Sequence, residues 1–332
     1  MHMADALVSP GVAGVMYVAA GATAAYSIRK VREENDPKKI PVMGVMGAFV
    51  FATQMINFTI PGTGSSGHLC GGMLLTALLG PYAGFLGMIG VLLIQCLLFA
   101  DGGILALGCN IWNMAFYGCF IGSLIWKLTM KKGMSPKKII LASILGCVLT
   151  LQLGAFSVTI ETLLSGITSL PFKTFVMMMQ PIHLAIGFVE GLITSAVLVF
   201  VYEARPELLY LSNPKETGKF SFKKTITTLA MVACLIGGGL SLFASSNPDG
   251  LEWSIEKITG STEVESDGNI HETAESMQET TALLPDYSLP GASESAGTSF
   301  SGIVGGLIVV IFSIGCATIF KFFGKKTINE QN

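Results

Sequence analysis

The sequence predicts an all-α integral membrane protein, with about seven helices in a transmembrane bundle and a two-helix C-terminal appendage. Three observations carry that prediction. Only 13% of the residues are charged, against about 25% in a soluble domain. Hydrophobic residues make up 51% of the 332, and the mean hydropathy is +0.63. The apolar residues come in runs of roughly 20, the length an α-helix needs to cross ~30 Å of hydrocarbon. The 39 glycines suit such a bundle, since small residues let membrane helices approach closely.

Taken in order, the apolar runs and their breakers give about nine spans. The first lies near 10–28 and ends at a basic stretch from Arg29. The second, near 41–60, ends at Pro61. The third, 68–79, is too short to cross alone and stops at Gly80-Pro81. The fourth, 82–100, stops at Asp101-Gly102-Gly103, and the fifth covers 104–127. Spans near 138–160 and 175–202 complete the main bundle, and spans near 225–244 and 301–320 form the appendage. A composition break over 206–224 separates the two parts. The expected organisation is therefore a bundle over 1–205, a cytoplasmic linker over 206–224 and an accessory part over 225–332. Apolar runs of this length point to a lipid bilayer as solvent, and no nucleic acid is expected as a partner.

Orientation follows the Lys and Arg of the short loops. Arg29, Lys30, Arg32, Lys38 and Lys39 follow the first span; Lys127, Lys131, Lys132, Lys137 and Lys138 follow the fifth. Arg205, Lys215, Lys219, Lys223 and Lys224 follow the seventh, and Lys321, Lys325 and Lys326 end the chain. With nine spans all four groups share one face, which is cytoplasmic, so the N-terminus is outside. The outer segments are then Pro61–Gly67, the stretch around Glu161–Pro171, and 245–299. The last holds eleven Asp or Glu against one Lys, Lys257, which reads as a solvated, largely disordered loop. Its start, Asn247 to Trp253, looks more specific than its middle. Pro61–Gly67 is expected to dip into the bundle and bring His68 to a cavity, because non-helical backbone at membrane depth survives only against protein or water.

The N-terminus carries the strongest chemistry. No Lys or Arg precedes Arg29, so no cleavable signal is expected, and the bulky His2 is expected to leave Met1 in place. The Met1 amine, the His2 amide nitrogen and His2 Nδ1 can close two adjacent chelate rings on one ion. The amide binds only when deprotonated, which Ni²⁺ and Cu²⁺ enforce and Mg²⁺ does not; planar all-nitrogen sets are typical of the first two. His68, on the same face, is the candidate fourth donor. The bland alternatives are a chance His on a frayed terminus and a hydrogen-bonded core His. Cys70 is a weaker candidate, since the i, i+2 spacing on a helix points it elsewhere.

Other polar residues lie within or beside the spans: Gln54, Asn57, Gln95, Asp101, Asn110, Asn113, His183 and Glu190. His183 and Glu190, seven apart, share a helix face, as a proton relay or as a tie between helices. Asp101 orients a ligand His or caps the next helix. Ala20/Ala24 and Gly21/Ala25 pack against another helix of the bundle or a partner protein. The seven cysteines form no C-x-x-C pair, so no disulfide framework or zinc ribbon is expected. No G-x-x-x-x-G-K-[ST] and no H-E-x-x-H occur, so neither ATP binding through a P-loop nor a metalloprotease is expected, and no enzyme constellation is visible.

These residues carry a family resemblance. Met1 to Pro10 resembles the M-H-I-P-D-G-F-L-S-P start of the cobalt/nickel substrate-binding components of energy-coupling-factor transporters. Ile60 to Leu69, Leu79-Gly80-Pro81, Asp101 to Asn110 and Glu190 to Thr194 are similar to that family as well. The tail, with Pro248 to Trp253 and Pro285 to Gly291, resembles the family's two-helix PDGLE accessory part. The resemblance implies that Ni²⁺ or Co²⁺ is captured as the transported substrate by Met1, His2 and His68. It implies a separate transmembrane coupling protein and cytoplasmic ATPase subunits as partners, and a multi-pass location in the cell membrane. Asp5, Ser66, Asp101, Asn110, His183 and Glu190 are then expected around the ion or along its path. Ala4 and Ala6 stand where the family has Pro and Gly, which bears on the metal preference. The rival readings are a self-sufficient divalent-cation channel or secondary permease with His183 and Glu190 on the pathway, and a structural membrane protein in which His2 is dispensable.

Overall fold

The structure, a computed structural model, describes residues 1–34, 36, 39–213, 218–264 and 268–329, with side chains to 316. Lys38, Lys215 and the C-terminal Lys321, Lys325 and Lys326 of the orientation argument lie outside the described side chains. Six of the described helices are long and apolar enough to cross a membrane: α1 (Pro10–Glu34), α4 (Pro81–Phe99), α7 (Pro136–Ser165), α8 (Phe172–Ala204), α9 (Phe222–Gly238) and α12 (Glu294–Asn329). The protein is a multi-pass, all-α membrane protein.

The starts and stops have local causes. Pro81 and Pro136 stand in the first turns of α4 and α7, where a missing N–H costs nothing. Gly166, at φ 63°, ends α7 in the left-handed conformation that favours glycine. Ser221 caps α9 through its side chain.

Two of the nine expected spans are shorter in fact. α2 (Lys39–Gln54) stops at Gln54, and the chain turns into an antiparallel hairpin, β1 (Phe58–Ile60) with β2 (Ser65–Gly67). The second span therefore does not run to 60: Asn57 and the β-branched Thr59 and Ile60 go to the hairpin. α3 (Gly72–Leu79) has eight residues, about 12 Å at 1.5 Å per residue, and turns back through Gly80 (φ 79°) into α4. The expected fifth span is a continuous helix made of α5 (Leu107–Asn110), a π-helical stretch Ile111–Ile121 and α6 (Gly122–Met130). Eleven π-helical residues are unusual and mark functional sites.

Close crossings hold these pieces together. A Cβ on Gly72 would lie 2.8 Å from the Gly118 Cα, so α3 can cross the π-helical stretch only as glycine on glycine. Long α7 and α8 pack along each other, and α2 is covered by both α9 and α12. The appendage therefore shares the core of the main bundle: Phe51 and Val309 are fully buried in one cluster. On α1 the Ala20 side is buried and packs within the bundle, whereas Gly21 and Ala25 are exposed.

The acidic segment 245–299 is a correction. Its described residues are ordered in α10 (Gly250–Thr259) and α11 (Asn269–Thr281) and tied to the bundle. Ser245 N–H donates to the Asn57 carbonyl (2.7 Å), and Leu283 and Leu284 N–H groups donate to the Leu98 carbonyl (2.9 and 3.1 Å). Gln278 Nε2 donates to the carbonyls of Gly102 (2.7 Å) and Cys96 (3.0 Å). The segment buries little apolar surface, hence the expectation of disorder; it is held by backbone and side-chain bonds to carbonyls at the C-terminal end of α4 and in the loop after it.

Candidate metal centre

The first eight residues plug into one end of the bundle. Met3, Leu7 and Val8 are fully buried, and a single 3-10 turn at Asp5–Leu7 bends the chain toward α1. Asn110 brackets Met3, accepting from its N–H through Oδ1 (2.7 Å) and donating Nδ2 to its carbonyl (3.1 Å). The Met3 carbonyl also accepts from Gly103 N–H (2.9 Å). Asp5 Oδ1 accepts from Ala106 N–H (2.9 Å). Two of the residues expected around the ion, Asn110 and Asp5, thus hold the backbone that follows the candidate donors.

With that backbone held, two of the candidate donors meet. The Met1 amino nitrogen lies 3.2 Å from His68 Nε2. The His2 and His68 rings stack, with centroids 5.4 Å apart and planes at 18°. His68 comes from the end of the β1–β2 hairpin, whose Ser65 and Ser66 are fully buried. Its Nδ1 faces the Leu69 carbonyl at 3.0 Å; the carbonyl can only accept, so the hydrogen sits on Nδ1 and Nε2 offers its lone pair. Below the hairpin, Glu190 Oε1 accepts from Gly71 N–H (2.9 Å), anchoring the turn that leads from His68 into α3.

His2 has an acceptor on each side of its ring, and a neutral imidazole, with one N–H, donates to only one of them. Nδ1 lies 3.0 Å from Asp101 Oδ1, and Nε2 lies 3.2 Å from Gln95 Oε1. Gln95 Nε2 donates to Gln54 Oε1 (2.8 Å), whose Nε2 donates to the Cys70 carbonyl (3.0 Å). Tyr287 donates its hydroxyl to Asp101 Oδ2 at 2.5 Å. Asp101 thus faces His2 and caps no helix. To chelate together with its own amide, His2 Nδ1 must turn from Asp101 toward Met1.

The residue that spacing did not reveal is Asp249. Its Oδ2 makes an ion pair with the Met1 amine and lies 3.8 Å from His68 Nε2. Its Oδ1 caps α10, accepting from Leu251 (2.8 Å) and Glu252 N–H (3.0 Å), while Glu252 returns a bond to Asp249 N–H (3.1 Å). This reciprocal box is legible as Asp-x-x-Glu ahead of a helix; its reach across 248 residues to Met1 is not. Ser66 fastens the same corner: its N–H donates to the Pro248 carbonyl (2.8 Å) and its hydroxyl to the Asn247 carbonyl (2.8 Å). Trp253 Nε1 donates to the Thr63 carbonyl (3.0 Å).

Electrostatics follow from burial and this ion pair. Burial pulls the Met1 amine down, but the charge and hydrogen bond of Asp249 outweigh it and hold the amine above its ordinary value. Burial pushes the Asp249 carboxyl up, but the amine holds it well below the usual range. Burial, then the amine's charge, lowers His2 to about 3 and His68 to about 4, so both imidazoles are neutral. Repulsion from Asp249, followed by burial, lifts Glu252 to about 7.

Neutral imidazoles, a main-chain amine and an adjacent amide suit a borderline divalent transition metal. Among the described residues no three His, Cys, Asp or Glu side chains are grouped at ligand distances; two of the four candidate nitrogens belong to the main chain. Cys70 is buried with its thiol 3.5 Å from the Met114 carbonyl. His183 lies beneath, lining one cavity with Met1, His68 and Asp249.

Residues 2–208 match the cobalt uptake substrate-specific transmembrane region, and residues 223–322 match the PDGLE domain. A protein of Archaeoglobus fulgidus described as a fused nickel transport protein is 35% identical over 310 residues, 93% of this chain and 96% of that one. A fused nickel transport protein of Lactiplantibacillus plantarum is 28% identical, with 95% and 97% covered. The crystal structure of a truncated transition metal transporter has a TM-score of 0.55 and 32% identity, covering 61% of this chain and 99% of that one. The chain belongs to the cobalt uptake substrate-specific transmembrane family and carries a PDGLE domain behind that region.

Proposed function

We propose that this chain is the substrate-capturing subunit of an energy-coupling-factor importer for Ni²⁺ or Co²⁺. The Met1 amine, the His2 amide nitrogen and Nδ1, and His68 Nε2 take the ion in one plane. The observation that carries the reading is the buried Met1 amine 3.2 Å from a neutral His68 Nε2. Donors about 2.0–2.1 Å from one ion stand about 3 Å apart when adjacent, and this pair needs little movement to reach that.

Binding exchanges charge for charge. The amine and the amide each lose a proton, and one divalent ion arrives. The ammonium carries one positive charge; the ion with its amidate carries one as well. Asp249 therefore faces a single positive charge before and after capture. Asp101 and Gln95 hold His2 until the ring turns, and Asn110 and Asp5 keep the following backbone in place. The nickel and cobalt transport names of the relatives support the cargo.

The remaining parts are read in the same way. The bundle over 1–205 captures the ion, the linker over 206–224 lies in the cytoplasm, and 225–332 is the accessory part. The candidate donors lie outside and the basic loops inside, supported by their positions at opposite ends of α1. A transmembrane coupling protein and ATPase subunits supply the energy; the exposed Gly21/Ala25 side of α1 is a surface of the kind small-residue packing uses. Equilibrium Ni²⁺ titration of the purified chain tests the site. His68→Ala and His2→Ala should each weaken binding at least about a hundredfold; unchanged binding in both would reject it. Cellular Ni²⁺ uptake that persists without any ATPase subunit would reject the coupling and favour a channel or permease.

A further inference from the structure

His183 is buried to 1% in the middle of α8, and among the described residues its Nε2 has no hydrogen-bond partner. Its other nitrogen is fixed. Nδ1 lies 2.8 Å from the Met179 carbonyl, which can only accept, so Nδ1 carries the hydrogen and Nε2 presents a bare lone pair. Metal-binding histidines are typically oriented in this way, by a backbone carbonyl on the far nitrogen.

The lone pair faces a prepared space. His183 lines a cavity of about 10 Å³ together with Met1, His68, Asp249 and Gly250, room for about one water-sized particle. Gly250 keeps it open: a Cβ there would lie 3.0 Å from His183 Cε1 and 3.2 Å from Nε2. The polar wall consists of ligand-type groups. His68 Nε2 and Asp249 Oδ2 are 3.8 Å apart, between the separations of about 3.3 Å for a tetrahedral pair and 4.1 Å for an opposed pair at metal–ligand lengths of about 2.0–2.1 Å.

We infer that an ion entering this cavity draws His183 Nε2, His68 Nε2 and Asp249, which line it without standing at ligand distances beforehand, into a second, inner position for the same class of divalent transition metal, one step deeper than the N-terminal chelate. The inference rests on the proposed chelate, with which it shares His68. An ion released by the amine and amide stays on His68, draws in His183 and Asp249, and leaves the plane of the N-terminus. Two imidazoles and a carboxylate make a non-planar set that suits Co²⁺ better than planar Ni²⁺. No proton changes place on the side chains, because both imidazoles bind through nitrogens that already carry lone pairs.

The test uses the full chain and Co²⁺, followed by titration and by the visible absorption that reports coordination geometry. One glycine is added before Met1 to remove the chelate, and His183→Gln or His183→Cys is then added to that protein. The extended protein should keep one weaker Co²⁺ with a non-planar spectrum. His183→Gln should weaken that residual binding at least tenfold, and His183→Cys, which returns a ligand to the same place, should restore it with a thiolate-to-metal band. Residual binding that ignores both substitutions overturns the inner position and leaves the chelate standing. Extended protein that binds as tightly as the native chain overturns the chelate itself.

Discussion

The first eight residues and the segment 247–287 meet at the same end of the bundle, yet they are built in opposite ways. The N-terminus is short, fully buried at Met3, Leu7 and Val8, and brings nitrogen donors. The acidic segment is long and mostly exposed on α11, and it brings groups that hold other groups. Asp249 holds the amine, Tyr287 holds Asp101, His271 lies 3.1 Å from the Val8 carbonyl, and Gln278 holds Gly102. In the proposed chelate the first region supplies two of the three ligand residues, and the other sets where they stand. Nitrogen suits a borderline ion, and oxygen suits ammonium and ring N–H groups.

The comparison can be broken by pH. His2 and His68, lowered to about 3 and about 4, are already neutral at pH 6 and release nothing on binding. The amine, held above its ordinary value, and the amide both lose protons. Apparent Ni²⁺ affinity should therefore rise by about two decades per pH unit between pH 6 and 7, as read by titration in non-coordinating buffer. A flat profile would mean that the N-terminal nitrogens are not the ligands.

Removing a group that only orients should cost less. Asp101→Ala frees His2 Nδ1 from the carboxylate it must leave in order to chelate and should shift Ni²⁺ binding by less than about tenfold, toward tighter rather than weaker, with no loss of folded protein. An effect as large as that of His2→Ala would make Asp101 a ligand and blur the division between regions. Trp253→Phe deletes the bond to the Thr63 carbonyl and keeps most of the packing. It should raise hydrogen exchange in the β1–β2 hairpin and α10 while shifting affinity less than tenfold.

The smallest expected effect is also the sharpest. Asp249→Asn keeps a good N-cap for α10 and removes the charge from the amine. Because one positive charge stands opposite Asp249 before and after capture, Ni²⁺ affinity should change less than about tenfold at pH 7. A hundredfold loss would show that Asp249 coordinates Ni²⁺ in the tight site.

Much of this was legible in the residues, and the misses have physical causes. Met1, His2 and His68 stand out because two adjacent chelate rings need only consecutive atoms, and because one more imidazole lies beyond a glycine-rich dip. Asp249 was visible as a helix cap and invisible as the amine's partner, since no local pattern spans the distance to Met1. The order of α11 was hidden because bonds from Gln278 to main-chain carbonyls leave no trace in hydropathy. The second span was read six residues too long because Phe58, Thr59 and Ile60 suit a strand as well as a membrane helix. The π-helical stretch has no composition signal.

The most direct test of the account adds one glycine before Met1 and measures Ni²⁺ binding by the purified full chain. Every side chain stays, and only the amine moves away from His68. The account predicts a loss of at least about a thousandfold, roughly 4 kcal/mol, with the folded state retained. Binding as tight as that of the unextended chain would contradict it.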